Sequence, residues 1–283
     1  MESIQQYIIQ ENANGSEIIP NNESTTTADI TSRFSGADWY EQIQKIPVIL
    51  LGVGGIGSYV AFLLSRLNVG SILALDPDNV ELGNLSGQLY SKRYIGNSKV
   101  FAMNSIVVEF SNYFNFVPKN EFYTTEKRLI LPHDYSFIRD ITNQNYKIPA
   151  VICGFDNMEA RKVAFTSWMN ELKIISKNAP ERLKEAIFID GRLAAEEFQI
   201  FCITGDNQKA MQVYVDNFLF SDDEAEVTRC SYKQTSYCAT MIGSMMVNLF
   251  VNFVTNMLDP IIERGMPFFT YYNAETMLLN QKY

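Results

Sequence analysis

The stretch Gly52-Val53-Gly54-Gly55-Ile56-Gly57 decides the fold of this chain. The apolar run before it, residues 46–51, is typical of a buried parallel strand, and residues 58–67 after it are typical of a helix. A strand that turns through glycines into a helix aims backbone N–H groups at an anion. The first glycine permits the tight turn, the third position of the stretch lets a phosphate approach the backbone, and the last glycine lets helix and strand pack closely. The stretch therefore predicts a nucleotide site.

A carboxylate follows the next predicted strand. That strand covers residues 71–75 and ends at Asp76, where nucleotide-binding folds of this type place the side chain that holds a ribose. Up to this point the residues fit either a dinucleotide or ATP. The polar loop from Asp76 to Gln88 favours ATP, because a nicotinamide enzyme has no use for it.

Several further motifs give the chain a family resemblance. The sequence resembles the ThiF/MoeB/HesA family of adenylating enzymes, which are related to ubiquitin-activating enzymes. Besides the glycine stretch, the matching motifs are Asp76-Pro-Asp78-Asn-Val80, Asn84-Leu-Ser-Gly-Gln88, Ile95-Gly-Asn-Ser-Lys99, and Phe155-Asp156-Asn157 followed by Arg161. The resemblance as a whole covers roughly residues 31–258. The common order of these motifs along the chain is far more specific than a glycine loop alone.

The resemblance implies ATP and Mg²⁺ as cofactors and assigns roles to individual residues. Lys99 looks like the phosphate-binding lysine of the family, and Asp156 looks like the Mg²⁺ ligand, a hard oxygen donor for a hard cation. Adenylation needs such groups, because a carboxylate attacks the α-phosphate and the spreading phosphate charge must be neutralised. Taken singly, Lys99 also fits a solvated helix residue, and Asp156 also fits a helix N-cap. The expected ATP contacts are Gly52, Gly54, Gly55, Gly57, Asp76, Asp78, Asn84, Gln88 and Lys99, and the expected catalytic residues are Lys99, Asp156 and Cys230.

One position departs from the family pattern. Where relatives have arginine in Asn-Leu-x-Arg-Gln, this chain has Gly87. In the relatives that arginine clamps the polyphosphate, and glycine supplies neither its charge nor its forked geometry. Either Lys92 or Arg93 folds back to supply the charge, or the site is weakened and the protein is a nucleotide-binding partner subunit without turnover.

Composition excludes several function classes. The net charge of −9 disfavours a nucleic-acid surface, which needs clustered Lys and Arg. The first ten residues lack the basic start and apolar core of a secretory signal. The four cysteines contain no Cys-x-x-Cys pair, so we expect no structural zinc. These features together predict a cytoplasmic enzyme.

Strands alternating with helical segments predict an α/β fold, a doubly wound Rossmann-like and mainly parallel sheet. The alternating pattern of residues 197–203 and a hairpin over residues 268–279 predict that antiparallel strands extend this sheet. Residues 1–32 are polar, and we interpret them as a flexible arm. Residues 33–283 then form one adenylation domain, including a crossover loop near 205–238.

The apolar segment 239–258 is long enough to resemble a membrane span. Asn248, Asn252 and Asn256 recur on one helical face, however, which favours a half-exposed or subunit-facing helix and no membrane association. The resemblance places a dimer-adjacent helix here and implies a homodimer. In this homodimer each subunit would contribute Arg33 across the interface to its partner.

Charges cluster after the strand predicted over residues 186–190. Arg192 either binds a substrate carboxylate with Glu196 as its partner, or forms an ion pair between the two halves of the fold.

The resemblance implies adenylation of the C-terminal carboxylate of a small ubiquitin-like or sulfur-carrier protein, with possible transfer to a thiol. Cys230 is the expected thiol, because Arg229 and Lys233 favour its thiolate, and Cys238 is its competitor. Direct transfer of the adenylate to an external acceptor is the alternative to both. A peptide or a modified nucleoside is the alternative substrate.

Overall fold

A computed structural model describes residue 31 and residues 33–123, 147–220, 234–258 and 263–283. All statements below concern this part of the chain. Apart from Thr31, the predicted polar arm lies outside it, as does Cys230.

Six helices and eight strands make up the described fold, joined in part by 3₁₀ turns. The helices are α1 (Tyr40–Ile43), α2 (Gly55–Arg66), α3 (Lys99–Ser111), α4 (Met158–Asn178), α5 (Gln208–Phe218) and α6 (Ser236–Leu258). The strands are β1 (Pro47–Leu51), β2 (Ser71–Leu75), β3 (Phe116–Lys119), β4 (Ala150–Cys153), β5 (Ile187–Ala194), β6 (Glu197–Thr204), β7 (Phe269–Asn273) and β8 (Leu278–Lys282). The 3₁₀ turns are Leu82–Ser86, Lys92–Tyr94 and Pro180–Glu185.

The strands form one sheet in the order β3-β2-β1-β4-β5-β6-β7-β8. The first five strands of this order run parallel, and β6, β7 and β8 are added antiparallel. The predicted α/β class, with a parallel sheet extended by antiparallel strands, is therefore confirmed. Leu51 is in register with both Leu75 and Cys153, so β1, β2 and β4 end at the same level. The loops that follow these three strands consequently leave the sheet side by side.

Helices cover both faces of the sheet, as buried parallel strands require. On one face α2 and α6 pack together over β1 and β5, with Leu64 and Phe250 fully buried. On the other face α4 and α5 contribute Phe165 and Tyr214, whose ring centres lie 4.7 Å apart. Helix α3 also buries Met103 on the first of these faces, so helices bury both faces of the sheet.

Helix α6 is the apolar segment that resembles a membrane span. It is the one helix in the described ranges that is long and apolar enough to span a membrane, but 67% of its most apolar window is buried in the fold. Two of its three asparagines bind the backbone of the segment that follows α6: Asn252 donates to the Gly265 carbonyl at 2.9 Å, and Asn256 exchanges two hydrogen bonds with the Arg264 backbone. The polar stripe therefore contributes hydrogen bonds that stabilise the fold, and α6 is buried to the extent of a core helix.

The segment interpreted as a crossover loop near 205–238 contains two helical parts. Asn207 caps α5 by accepting from the Ala210 N–H at 3.0 Å, and Met211 and Tyr214 bury the inner face of this helix. Helix α6 begins at Ser236. Between them, residues 221–233 lie outside the described chain.

Candidate functional site

The glycine turn between β1 and α2 has the backbone geometry that the sequence indicates. Gly52 has φ +86°, a conformation that L side chains rarely adopt, and its N–H donates to the Leu75 carbonyl at 2.8 Å. A Cβ on Gly57 would lie 1.9 Å from the Gly52 oxygen. Strand and helix therefore meet at a distance that only glycine permits. The free N–H groups of the first turn of α2 face the edge where β1, β2 and β4 end.

Asp76 lies directly beside this turn and is 5% exposed. One of its carboxylate oxygens accepts from the Val53 N–H and the other from the Asp78 N–H, each at 2.9 Å. Burial raises the pKa of the Asp76 carboxyl above its ordinary value, although the Lys99 charge and the two backbone hydrogen bonds act in the opposite direction. Each oxygen keeps a lone pair for a ligand hydroxyl.

Lys99 begins α3, and its side chain is only 9% exposed. Its Nζ donates to Asp78 Oδ2 at 2.8 Å, and the Asp78 side chain is 61% exposed. Lys99 is therefore not a solvated helix residue: its ammonium group is held at the strand-end edge, with an acidic partner that faces solvent.

The buried Tyr90 joins these parts, and sequence reasoning did not single it out. Its hydroxyl oxygen lies 2.6 Å from the Val53 carbonyl oxygen and 3.3 Å from the Lys99 carbonyl oxygen. It thereby ties the glycine turn to the start of α3. Its position after the polar loop carries no local signal, because the contact depends on how the loop folds back over β1.

Asn84 lies on the 3₁₀ turn Leu82–Ser86, and Gln88 follows this turn by two residues. Asn84 Oδ1 accepts from the Glu81 N–H at 2.8 Å, so this side chain shapes the turn. Gln88 points toward the glycine turn: its Nε2 lies 3.9 Å from where a Cβ on Gly54 would be. Its Oε1 is buried and has no hydrogen-bond partner in the described part of the chain. Such an atom is expected where a bound ligand completes the site.

Asp156 follows β4, and the structure separates its two interpretations. The N-cap of α4 is Asn157, whose side chain accepts from the Ala160 N–H at 2.8 Å. Asp156 is exposed at the strand-end edge, and within the described ranges its carboxylate contacts only the Asn157 amide, at 3.4 Å. Its carboxylate is therefore free to bind a cation.

A buried charge cluster supports the loop that carries Asp156. Arg161, on α4, donates to the Asp190 carboxylate, to the Gly191 carbonyl at 3.0 Å and to the Phe155 carbonyl. Asp190 is 0% exposed and also accepts from Arg192 Nε at 2.8 Å and from the Tyr214 hydroxyl at 2.9 Å. The cluster joins the ends of β4 and β5 and leaves no oxygen of Asp190 without a donor.

Two other contacts predicted for this site are not formed in the described part of the structure. Arg93 contacts Glu109, ten residues along α3 from Lys99 and thus about 15 Å away along the helix axis, so it does not supply the charge missing at Gly87. Arg192 pairs with Asp190, whereas the Tyr237 hydroxyl contacts Glu196, so the structure does not bring Arg192 and Glu196 together.

The described cysteines are buried. Cys153 and Cys202 lie in the core, and burial raises the pKa of each thiol to about 12. Cys238, the competitor of Cys230, is 0% exposed at the start of α6. Cys230 itself belongs to residues 221–233, outside the described chain.

These residues fit a nucleotide and a cation. The helix start offers backbone donors, and among the described residues Gln88 Oε1 lacks a partner and Asp156 presents an exposed carboxylate. Within the described ranges, no group of three or more His, Cys, Asp or Glu residues could hold a metal ion. One carboxylate together with substrate phosphates is a common way to bind Mg²⁺.

Comparison with known proteins agrees with this geometry. The model of the ThiF family matches residues 27–281. Ubiquitin-like modifier-activating enzyme 5 of Caenorhabditis elegans is 30% identical over 152 residues, which are 50% of this chain and 34% of that protein. The Rattus norvegicus enzyme of the same name is 32% identical over 137 residues, 47% of this chain and 32% of that protein. The matched region thus spans about a third of the length of these curated relatives.

Solved structures share the fold at low sequence identity. The structure of PaaA superposes with a TM-score of 0.62 at 14% identity and covers 98% of this chain and 78% of its own. E. coli MccB, in a structure with ATP, gives a TM-score of 0.51 at 12% identity and covers 86% of this chain and 65% of its own.

Proposed function

Because the chain belongs to the ThiF family, we propose that it uses ATP to adenylate the C-terminal carboxylate of a small ubiquitin-like or sulfur-carrier protein. The observation that carries the proposal is the edge formed by β1, β2 and β4. There a nearly buried lysine, a buried carboxylate and a solvent-facing carboxylate surround a helix start. Phosphate, ribose and metal ion each have a matching group at this edge.

Each residue at this edge has its own role in adenylation. The first turn of α2 and Lys99 bind phosphate oxygens and stabilise the charge that develops as pyrophosphate leaves. Asp76 accepts from a ribose hydroxyl and orients the nucleotide. Asp156 holds Mg²⁺, which neutralises phosphate charge when bound. Arg161 fixes the loop that carries Asp156, because it binds the carbonyl of the preceding residue.

Pyrophosphate exchange into ATP tests this proposal. Exchange should require Mg²⁺ and the carboxylate substrate, and Lys99→Ala and Asp156→Ala should each lower its rate on the order of 100-fold or more while the protein stays folded. Exposed Lys173→Ala and Asp216→Ala are matched controls and should exchange at the wild-type rate. Wild-type rates in both site variants would refute the assigned site. If the wild type fails to exchange with ubiquitin-like, peptide and nucleoside substrates alike, the partner subunit without turnover is favoured.

Transfer of the activated carboxylate to Cys230 is the finer part of the proposal. The thiolate would attack the adenylated carbonyl carbon, forming a thioester and releasing AMP. Burial of Cys153, Cys202 and Cys238 supports Cys230 by removing its competitors from solvent. Incubation with ATP and carrier should give a thiol-sensitive adduct that Cys230→Ala abolishes without affecting pyrophosphate exchange. An adduct that persists in this variant and vanishes in Cys238→Ala would move the assignment to Cys238, and an exchange-active protein without an adduct favours direct transfer.

A homodimer is the assembly we propose. The outer face of α6 carries a mainly apolar depression lined by Tyr237, Thr240, Met241, Ser244 and Met245. A second copy of the same face would cover it symmetrically. Light scattering should report about twice the 32.3-kDa chain mass. A monomer at micromolar concentration would contradict the proposal, and Met241→Lys should dissociate the dimer.

The cytoplasm is the compartment we propose. Three cysteines of the described chain are free thiols, which suits a reducing environment. Cell fractionation tests this placement.

A further inference from the structure

Gly55 and Gly87 are far apart in sequence but share one neighbour, the side chain of Gln234. A Cβ on Gly55, the first residue of α2, would lie 2.0 Å from Gln234 Oε1. A Cβ on Gly87 would lie 2.6 Å from Gln234 Nε2. The two glycines therefore form the walls of a slot that the Gln234 carboxamide fills. Neither wall tolerates a larger residue while Gln234 stays in place.

Gln234 reaches this slot from a different part of the fold. It forms an isolated parallel bridge with Ala195, at the end of β5, and it lies two residues before α6. Its backbone is thus held against the sheet while its side chain extends over the first turn of α2. The placement is tertiary, because α2, the 3₁₀ turn before Gly87 and the start of α6 must all be assembled to create it.

The Gln234 carboxamide makes no hydrogen bond within the described part of the chain. Gln88, on the other side of the glycine turn, has a buried Oε1 that is also without a partner there. Gln88 Oε1 is an acceptor, so it suits a ligand hydroxyl or amine, whereas Gln234 Nε2 is a donor. A helix start attracts anions, so the ligand group that suits the Gln234 donor beside α2 is a phosphate.

We propose that Gln234 is a further ATP-binding residue whose carboxamide donates to the polyphosphate. This inference rests on the proposed function. The proposal also explains why position 87 is glycine. A side chain at position 87 would occupy the slot, whereas glycine leaves room for the Gln234 side chain, which reaches the phosphates from the start of α6. The site then has a neutral amide donor next to Gly87, whereas Arg93 pairs with Glu109 and does not reach this position.

ATP affinity measured by calorimetry, with Mg²⁺ and without a carrier protein, tests the proposal. Gln234→Ala should raise the Kd for ATP about tenfold or more, the usual effect of losing a hydrogen bond to a charged group. Gln234→Glu has the same size but repels phosphate, so it should weaken binding further. Binding of adenosine, which has no phosphate, should stay unchanged in both variants. Gln281→Ala, an exposed glutamine on β8, is the matched control.

Gly87→Ala gives an independent readout, because its methyl group would push the carboxamide out of the slot. It should weaken ATP binding in the wild-type background and have little further effect in Gln234→Ala, since both changes remove one interaction. Thermal unfolding verifies that each variant is folded.

Three outcomes would overturn the inference. Unchanged ATP affinity in Gln234→Ala refutes the contact, and tighter binding would make Gln234 an obstruction in the site. An equal loss for adenosine and ATP would mean that Gln234 only maintains the structure. Wild-type protein that binds no ATP overturns this inference and the proposed function together, whereas normal binding with unaffected Gln234 variants overturns this inference alone.

Discussion

Asp190→Asn removes one charge from the buried cluster beneath the candidate site. The Asp190 carboxylate is 0% exposed and is the acceptor for two guanidinium groups, those of Arg161 and Arg192. Asparagine keeps the volume but leaves both cations without a counter-charge in a buried environment. We therefore expect a large loss of stability and a displaced loop around Asp156, whose preceding carbonyl is held by Arg161.

The size of the expected stability loss follows from the burial of the Asp190 ion pairs. Removing one partner of a buried ion pair costs about 3–5 kcal/mol, and asparagine, which can still accept one hydrogen bond, should lie near the lower end. A domain has about 5–15 kcal/mol of stability in total, so this is a substantial part of it. With a urea dependence of about 3 kcal/mol/M, the unfolding midpoint should fall by about 1 M.

Urea unfolding followed by circular dichroism measures this change, and pyrophosphate exchange in the folded fraction measures the effect on the loop. Glu159→Gln is the matched control, because Glu159 pairs with Lys162 on the same helix but is 67% exposed. It should cost less than about 1 kcal/mol. A midpoint for Asp190→Asn equal to that of Glu159→Gln would refute the reasoning that burial makes this cluster costly to break.

Three further predictions rest on single residues. Because burial raises the pKa of Asp76 in the folded state, stability should fall as pH rises from the ordinary Asp value through the raised pKa, and Asp76→Asn should flatten this decline in urea titrations. Gly57→Ala places a methyl group 1.9 Å from a backbone oxygen and should cost about 1–3 kcal/mol with loss of ATP binding, whereas Gly36→Ala has open space and should stay within about 0.5 kcal/mol. Cys153 and Cys202, each with a pKa near 12, should resist thiol reagents at pH 8 until the protein unfolds; rapid labelling seen by mass spectrometry would contradict their burial.

The parallel half of the fold was predictable because its signals are local. A buried strand needs a run of apolar residues, and a strand-to-helix turn at this spacing needs glycines, so residues 46–76 indicate both elements and their order. Asp76 follows from its position at the end of the second predicted strand, and Lys99 and Asp156 were implied by the family resemblance of the motifs that contain them. The structure places all three at one edge of the sheet.

The features of the fold and the site that could not be predicted depend on contacts between segments distant in sequence. Helix α5 lies in a stretch interpreted as a loop, and it is stabilised by Tyr214 packing on β6 and by the Asn207 cap. Asp190 and Arg192 were visible as a charge cluster, but their partner Arg161 comes from another helix. The slot for Gln234 is formed by two glycines 32 residues apart, and no local pattern in the sequence signals it.

The pairing of Lys99 with Asp78 has an electrostatic consequence for the resting protein. Asp78 acts as a built-in counterion, because its carboxylate neutralises the Lys99 charge in the absence of a nucleotide. If Lys99 binds phosphate as proposed, the displaced Asp78 carboxylate would face water, where a free charge is inexpensive to solvate. The exchange is thus one anion for another at a single ammonium group. Its dependence on salt should therefore be weaker than that of a bare cationic pocket.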